Sequence, residues 1–347
     1  MPPVLSVVVP FHNVAPYFDD CLASLARQDL KDAEFILVDD GSTDGSLLLA
    51  HAWADRDARF SVLVRPRQGP SPARNTGAAV AGGAYLAFAD ADDVVAVTAY
   101  RSLVDSLERS GSDFAAGDVR RLTAAGVVRH PRYADVFSVP RTRTHITRDH
   151  ALIIDRMVWN KVFRRSFWDR HAFTFSLPQY EDAPVMVAAY ILAEAVDVLD
   201  EVVYFWRVRD RGEPSITQRL HEPANLEARM RMTVETGEIV RRLAPVLTSA
   251  YARDMCLGDL RVAMTALHRH GERDLSAALE LGREFLAGVA PEVLAGLPER
   301  DRLHLGLLAS GRTGELRAAL RAEEAHEAPG AEEPGRTAGA GTTGAER

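Results

Sequence analysis

Three carboxylates within four residues, Asp90-Ala91-Asp92-Asp93, close the apolar run Tyr85-Leu86-Ala87-Phe88-Ala89. Ionised Asp is costly to bury without a compensating cation, so an apolar strand that ends in acids calls for positive charge beside it. Hard divalent cations take oxygen ligands, and Mg²⁺ is usually held by one or two carboxylates together with substrate phosphates. If strand alternation persists to the end of the run, Asp90 and Asp92 point to the same side. An acidic turn capping the following helix fits the same letters. Asp39 and Asp40 stand where a strand gives way to Gly41-Ser42-Thr43. They can accept hydrogen bonds from a ligand or form an Asx-type turn, and helix capping is the better reading for Thr43 and Asp44. Arg74 ends a loop begun by Gly69 and stiffened by two prolines; its guanidinium suits bidentate phosphate contact, with surface ion pairing as the alternative. Glu181-Asp182 stands at a helix start with Pro184 in the first turn, which on its own also fits an ordinary N-cap. His12, His145 and His221 are scattered and offer no metal-ligand spacing.

These groups need elements to position them. Leu5 to Pro10, Glu34 to Val38, Ser61 to Val64 and Tyr85 to Ala89 read as four buried strands. Helices are expected between them, over 16–28, after the loop at 39–46, and over 73–81. Strands alternating with helices predict an open, mainly parallel α/β sheet, with ligands at the carboxyl ends of the strands. That rule brings Asp39, Asp40, Arg74 and Asp90 to Asp93 to one rim. Beyond Val94 a helix over 100–110 and a strand over 113–116 precede an irregular Arg- and Thr-rich region. An apolar helix runs from Glu181 to near Ala195, and two late strands cover 196–199 and 202–207. Apolar stripes at 239–247, 251–267 and 275–286 predict a helical C-terminal region. Glu323 to Arg347 contains no Leu, Ile, Val, Phe, Tyr, Trp or Met, which predicts a disordered tail.

The chain has 347 residues, 47% of them apolar, enough for a sizeable core. A formal charge of −8 gives no global basic field for nucleic acid. Cys21 and Cys256 lie far apart in predicted helices and read as small buried apolar residues in a reducing compartment. Met1-Pro2-Pro3-Val4 lacks a basic signal-peptide start, and no apolar run reaches the ~18 residues of a membrane span. The expectation is a cytoplasmic protein, at most peripheral to the inner face of the membrane.

Five elements occur in register: Val8-Val9-Pro10-Phe11-His12-Asn13, Val38-Asp39-Asp40-Gly41-Ser42-Thr43-Asp44, Ala73-Arg74-Asn75-Thr76-Gly77, Asp90-Ala91-Asp92-Asp93 and Glu181-Asp182. In order and spacing the set resembles the inverting family-2 glycosyltransferases, in particular the bacterial members that build cell-wall polymers and capsules. The resemblance covers about residues 4 to 217. It implies a GT-A fold, Rossmann-like and built for nucleotide-diphospho-sugars. It further implies a nucleotide-sugar donor of the UDP type, a divalent Mn²⁺ or Mg²⁺, and a glycan or polyol-phosphate acceptor. By that likeness Pro10, His12, Asp39, Asp40, Arg74, Asp90 and Arg207 contact the donor, Asp40 taking the base and Asp90 the ribose. Asp92 ligates the metal, Asp182 is the general base, and Glu181 orients the acceptor. Ala91 stands where many relatives carry Ser, and Asp93 either assists the metal or caps a helix. Trp159 and Lys161 are candidate acceptor contacts, an indole face being suited to stacking on a pyranose, although a core-edge aromatic fits equally. Arg207 to Thr217 resembles the family's mobile segment after the last strand, which can close over the diphosphate.

The expected organisation is a GT-A domain over 1–220, a helical region over 221–322 and the tail over 323–347. The helical region could mediate dimerisation, partner contact or membrane contact. Two rival readings share some of the letters. A receiver-like phospho-switch would use a strand and an acidic pair, but would leave Glu181-Asp182 unexplained. A catalytically silent sugar-nucleotide-binding scaffold would keep the pockets without turnover.

Overall fold

The computed structural model describes residues 2–327. Ten strands form one sheet: β1 (Leu5–Phe11), β2 (Ala33–Asp39), β3 (Phe60–Val64), β4 (Tyr85–Phe88), β5 (Val94–Val95), β6 (Phe114–Thr123), β7 (Gly126–Arg129), β8 (Arg141–Thr144), β9 (Lys161–Arg164) and β10 (Val196–Arg207). Their order is β3-β2-β1-β4-β9-β6-β10-β5, with β7 on β6 and β8 on β10. The first four pair in parallel as the apolar runs predict, and β6 pairs in parallel with β10. Between these blocks β9 is inserted antiparallel to both neighbours. Its residues carry no period-2 signal separate from the buried cluster around them, which is why the sequence alone left them unassigned. The two late strands are one strand with register shifts at Val202. With this sheet the receiver-like alternative is set aside, because Glu181-Asp182 belongs to the same α/β unit as the acidic turn.

Helices α1 (Ala15–Ala26), α2 (Ser46–Ala54), α3 (Pro70–Val80), α4 (Ala99–Ser110), α5 (Pro131–Ala134), α6 (Arg165–Arg170) and α7 (Asp182–Leu192) follow in chain order. On α1, Phe18, Cys21, Leu22 and Leu25 form the fully buried face that their spacing predicts. The third helix begins three residues earlier than expected, because Pro70 occupies its first turn, where a missing N–H costs nothing. Arg74 therefore sits within the helix and not in the preceding loop. Gly77 lets this helix lie close on the sheet: a Cβ there would stand 2.3 Å from Val8 Cγ1.

The C-terminal region is helical: α8 (Pro223–Leu243), α9 (Thr248–Leu257), α10 (Asp259–Thr265), α11 (Ser276–Ala287), α12 (Pro291–Ala295), α13 (Glu299–Ala309) and α14 (Thr313–Glu327). Two predicted stripes are interrupted. The first breaks after Leu243 at Ala244-Pro245, and the second at Gly258, which separates α9 from α10. The last helix extends five residues into the stretch expected to be a tail; residues 328–347 lie outside those described. One hydrophobic cluster runs continuously from Leu5 to Leu320, so this region shares a core with the sheet. No helix among the described residues is long and apolar enough to cross a membrane.

Candidate active site

Strand β4 ends at Phe88, and Asp90 to Asp93 form a turn in which the Asp93 N–H donates to the Asp90 carbonyl at 3.2 Å. Strand alternation therefore does not orient Asp90 and Asp92; each carboxylate finds its own cation. Asp90 accepts from Arg74 Nη2 at 2.6 Å, and Asp92 from Arg209 Nε at 2.6 Å. Asp93 is 1% exposed, accepts the Arg207 backbone N–H at 2.7 Å, and leaves its Oδ2 buried without a partner. Burial, then the charges of Asp92 and Asp90, push its pKa well above the usual carboxylate range.

Arg74 is the tie of the site. One arm of its guanidinium pairs with Glu181, the other with Asp90, and the group lies 5.7 Å from the centroid of the Phe175 ring. The helix-start pair and the acidic turn, 91 residues apart between Glu181 and Asp90, are thus joined through one side chain. Its two terminal nitrogens are spent on protein carboxylates, and its Nε is buried and unpartnered.

The segment that carries Glu181 and Asp182 is held from two sides. From α3, Asn75 exchanges two hydrogen bonds with the Phe175 backbone, at 2.8 and 2.9 Å, and Ser71 Oγ donates to the Leu177 carbonyl. From α8, Asn225 accepts from the Tyr180 hydroxyl, and the Arg229 guanidinium sits 5.3 Å from the Tyr180 ring. Tyr180 has φ +57°, a left-handed backbone unfavourable for a bulky residue, so both clamps hold a strained turn immediately before the pair. Glu181 is buried, while Asp182 is partly exposed at the first position of α7. Burial raises the Asp182 pKa to about 6 and Asp90 adds to this, against opposing pulls from Arg74, Arg156 and Lys161. A carboxylate with that value can hold or release a proton near neutral pH.

The other predicted residues distribute around the strand tips. Asp39 closes an Asx-type turn by accepting from Ser42 N at 3.0 Å. Asp40 accepts from Arg65 at 2.7 Å, Gln68 N at 3.0 Å and Gly69 N at 2.7 Å, folding the segment before α3 back onto β2. Three of the roughly four acceptor positions of that carboxylate are used. Asp44 accepts from Ser46 N at 2.8 Å and Ala15 N at 3.1 Å, the predicted capping role, which joins the starts of α1 and α2. Pro10 lies near the end of β1, and His12 Nδ1 is buried without a partner. Arg207 donates to the Asp92 carbonyl at 2.6 Å and to Asp20 at 3.0 Å, and packs 5.2 Å from the Tyr17 ring centroid.

Two acceptor candidates are corrected. Trp159 is 7% exposed and stacks on Tyr204, centroids 4.3 Å apart, as part of the core. Lys161 is fully buried, pairing with Asp155 at 2.8 Å and donating to Asn160 Oδ1 at 2.8 Å, with burial lowering its pKa. Both are buried in the region around β9. Conversely, Arg209 was missed although Arg207, Arg209 and Arg211 recur at strand period, and Tyr180 and Asn225 carry no sequence signal for their geometry.

Among the described residues no three His, Cys, Asp or Glu side chains form a ready-made metal cage. The donors present are oxygens from adjacent carboxylates, one held by an arginine and one left partnerless, which fits an ion shared between one or two protein carboxylates and a ligand's phosphates. Asp92 is the residue that would hold it, with Asp93 beside it.

Residues 6–171 match the model of the family described as glycosyl transferase family 2. The chain is 32% identical to the uncharacterized glycosyltransferase EpsJ of Bacillus subtilis over 229 residues, 65% of this chain and 66% of that protein. It is 28% identical to the putative glycosyltransferase EpsH of the same organism over 214 residues, 59% and 61% of the two lengths. The matched part thus falls just short of two thirds of each relative. Among solved structures, residues 1–349 of S. aureus TarS in complex with UDP superpose with TM-score 0.72 at 18% identity, covering 94% of this chain and 92% of that one. A mannosyltransferase from Pyrobaculum calidifontis with GDP-Man and Mn²⁺ gives 0.53 at 18% identity, covering 95% and 89%. At these identities the likeness establishes the GT-A fold.

Proposed function

From glycosyltransferase family 2, to which the chain belongs, we propose that it transfers a sugar from a nucleotide-sugar, of the UDP type, to an acceptor hydroxyl with inversion at the anomeric carbon. The observation that supports this reading is the Arg74 tie, one guanidinium pairing with both Glu181, the neighbour of Asp182, and Asp90. TarS, whose fold this chain shares, has been crystallised with UDP and with UDP-GlcNAc, which favours a UDP donor.

Asp182 takes the proton of the acceptor hydroxyl as that oxygen bonds to the anomeric carbon, and the bond from that carbon to the donor diphosphate breaks on the opposite face. Its pKa of about 6 leaves it ionised and basic at neutral pH. Glu181, neutralised by Arg74, lies beside it to orient the acceptor. Asp40 retains one acceptor position toward the nucleobase, and Asp90 stands at the turn for the ribose. Asp92 would hold a divalent Mn²⁺ or Mg²⁺, which when bound would supply positive charge for the leaving diphosphate. Arg207 and Arg209 add cationic charge at the same turn, and closure of the segment after β10 would keep water from the site.

Thermal-shift measurements with a panel of nucleotide sugars, with and without Mn²⁺, test the reading. A ligand that binds only the native state raises Tm, by ~2.7 kcal/mol of stabilisation at a hundredfold excess over Kd. A UDP-sugar should give the largest shift, and should do so with metal. No shift with any nucleotide sugar would contradict the proposal.

A further inference from the structure

Asp92, read above as the metal holder, already has a cation of its own. Arg209 Nε donates to its Oδ2 at 2.6 Å, and only 18% of the arginine side chain and 13% of the carboxylate side chain are exposed, so solvent screens the pair little. Among the described residues no other cation pairs with that carboxylate. The neighbouring arginines are spent elsewhere. Arg207 donates to the Asp92 carbonyl and to Asp20, and Arg211 to the Pro16 carbonyl at 2.7 Å.

The backbone that carries Arg209 is pinned. Gln218 accepts the Arg209 N–H at 3.2 Å and the Ser215 N–H at 3.1 Å, and donates to the Arg209 carbonyl at 2.8 Å. Directly after it, the hydroxyl of buried Tyr17 accepts the N–H groups of Asp210 at 2.9 Å and Arg211 at 2.7 Å. The guanidiniums of Arg207, Arg209 and Arg211 lie 5.2, 6.0 and 5.3 Å from the Tyr17 ring centroid. Beyond Asp92, the Arg209 head meets the Glu213 carbonyl at 3.0 Å. Exchange of Asp92 for another anion is therefore a movement of the side chain alone. The charges supply a reason for such an exchange. A guanidinium and a divalent ion on one carboxylate set three positive charges against one negative, beside Arg207. Asp90 cannot offset them, because it is paired with Arg74. A diphosphate brings enough negative charge to accept both cations.

We propose that Arg209 is a built-in counter-ion that a divalent cation must displace from Asp92, and that the nucleotide diphosphate, by taking up the freed guanidinium, couples metal binding to nucleotide binding. The proposal rests on the reading of Asp92 as the metal holder, and its test needs no turnover. Mn²⁺ binding to the full chain is read from the paramagnetic resonance of the free ion, with and without UDP. In the parent, UDP should tighten Mn²⁺ binding by about tenfold or more. In Arg209→Gln, Mn²⁺ alone should bind about tenfold or more tightly than in the parent, and the gain from UDP should shrink to match. Arg209→Lys, which keeps the charge, should stay within about threefold of the parent. A side chain that served only structure would, on removal, weaken metal binding or leave it unchanged, and either result overturns the proposal. Arg209→Lys binding as tightly as Arg209→Gln overturns it too, since packing and not charge would then be the cause. A parent that binds no Mn²⁺ even with UDP, or binds it equally well as Asp92→Asn, contradicts the metal reading and this proposal together, whereas parent-like coupling in Arg209→Gln contradicts this proposal alone. Should Arg209→Gln not fold, the Arg209 Nε–H signal of ¹⁵N-arginine-labelled parent, assigned by its loss in Arg209→Lys, decides the matter. It should shift on adding Mg²⁺ with UDP, and an unmoved signal at saturation overturns the displacement.

Discussion

At the residue scale the site is a distribution of acids among cations. Asp182 is the group whose environment matters most, since its carboxyl sits at about 6 against the usual 3.8. A base must be ionised, so transfer should fall about tenfold per pH unit below 6 and level off above it, read from kcat/KM over pH 4.5 to 8.5. A flat profile through that range would remove Asp182 from the role. The same shift has a sign for stability. The folded chain holds the proton more tightly than the unfolded one, so the ionised form costs stability above pH 6. Asp182→Asn should therefore melt no lower than the parent at pH 7.5. Lys161 differs because its charge has a buried partner: Lys161→Met leaves Asp155 buried without its cation and should cost about 3–5 kcal/mol in urea denaturation. A loss below about 1 kcal/mol would show that Asn160 and Tyr190 suffice for Asp155. Sequence reasoning found the acids because clusters of charge beside apolar runs are conspicuous. It misplaced Lys161 and Trp159 because burial depends on the antiparallel insertion of β9, which no local pattern announces.

At the element scale, α3 does two jobs. Its Arg74 joins the two acidic groups, and its Ser71 and Asn75 hold the backbone that leads to Asp182. Both depend on the close approach that Gly77 permits. Gly77→Ala should force the helix away from β1, costing about 1–3 kcal/mol, with activity falling more than stability alone explains; a variant with parent activity and melting would contradict the dependence. Asn75→Ala removes two hydrogen bonds to the Phe175 backbone and should lower kcat while leaving UDP affinity near the parent value. The motif at 73–77 was legible as a unit, yet its division of labour was not: one residue carries charge, one clamps a distant segment, one admits a strand. The first four strands and the helices between them follow from apolar period, the start of α3 excepted. The start of α3 was misjudged because Pro70 and Pro72 read equally as a loop or as a helix's first turn.

At the scale of the whole molecule the helical region is part of the working unit. Its α8 reaches Tyr180 through Asn225 and Arg229, and Asn225 also donates to the Ile216 carbonyl at 2.8 Å, so one helix touches the turn before Asp182 and the segment after β10. Buried Asp259 pairs with Arg156 at 3.1 Å and with Arg229, and both arginines hold its carboxyl well below the usual range. A chain ending at Glu222 should accordingly lose the cooperative melt of the parent in circular dichroism; a soluble fragment with unchanged Tm would show that the sheet stands alone. The periodicity of these helices was readable, but their grip on Tyr180 was not, because long-range contacts leave no local trace. The central claim is that the N-terminal strand tips hold the donor while a separate segment supplies the base. Asp182→Asn measured for both UDP binding and sugar transfer tests it most directly. The account predicts parent-like UDP affinity with transfer reduced about 10²- to 10⁴-fold, whereas transfer at the parent rate would contradict it.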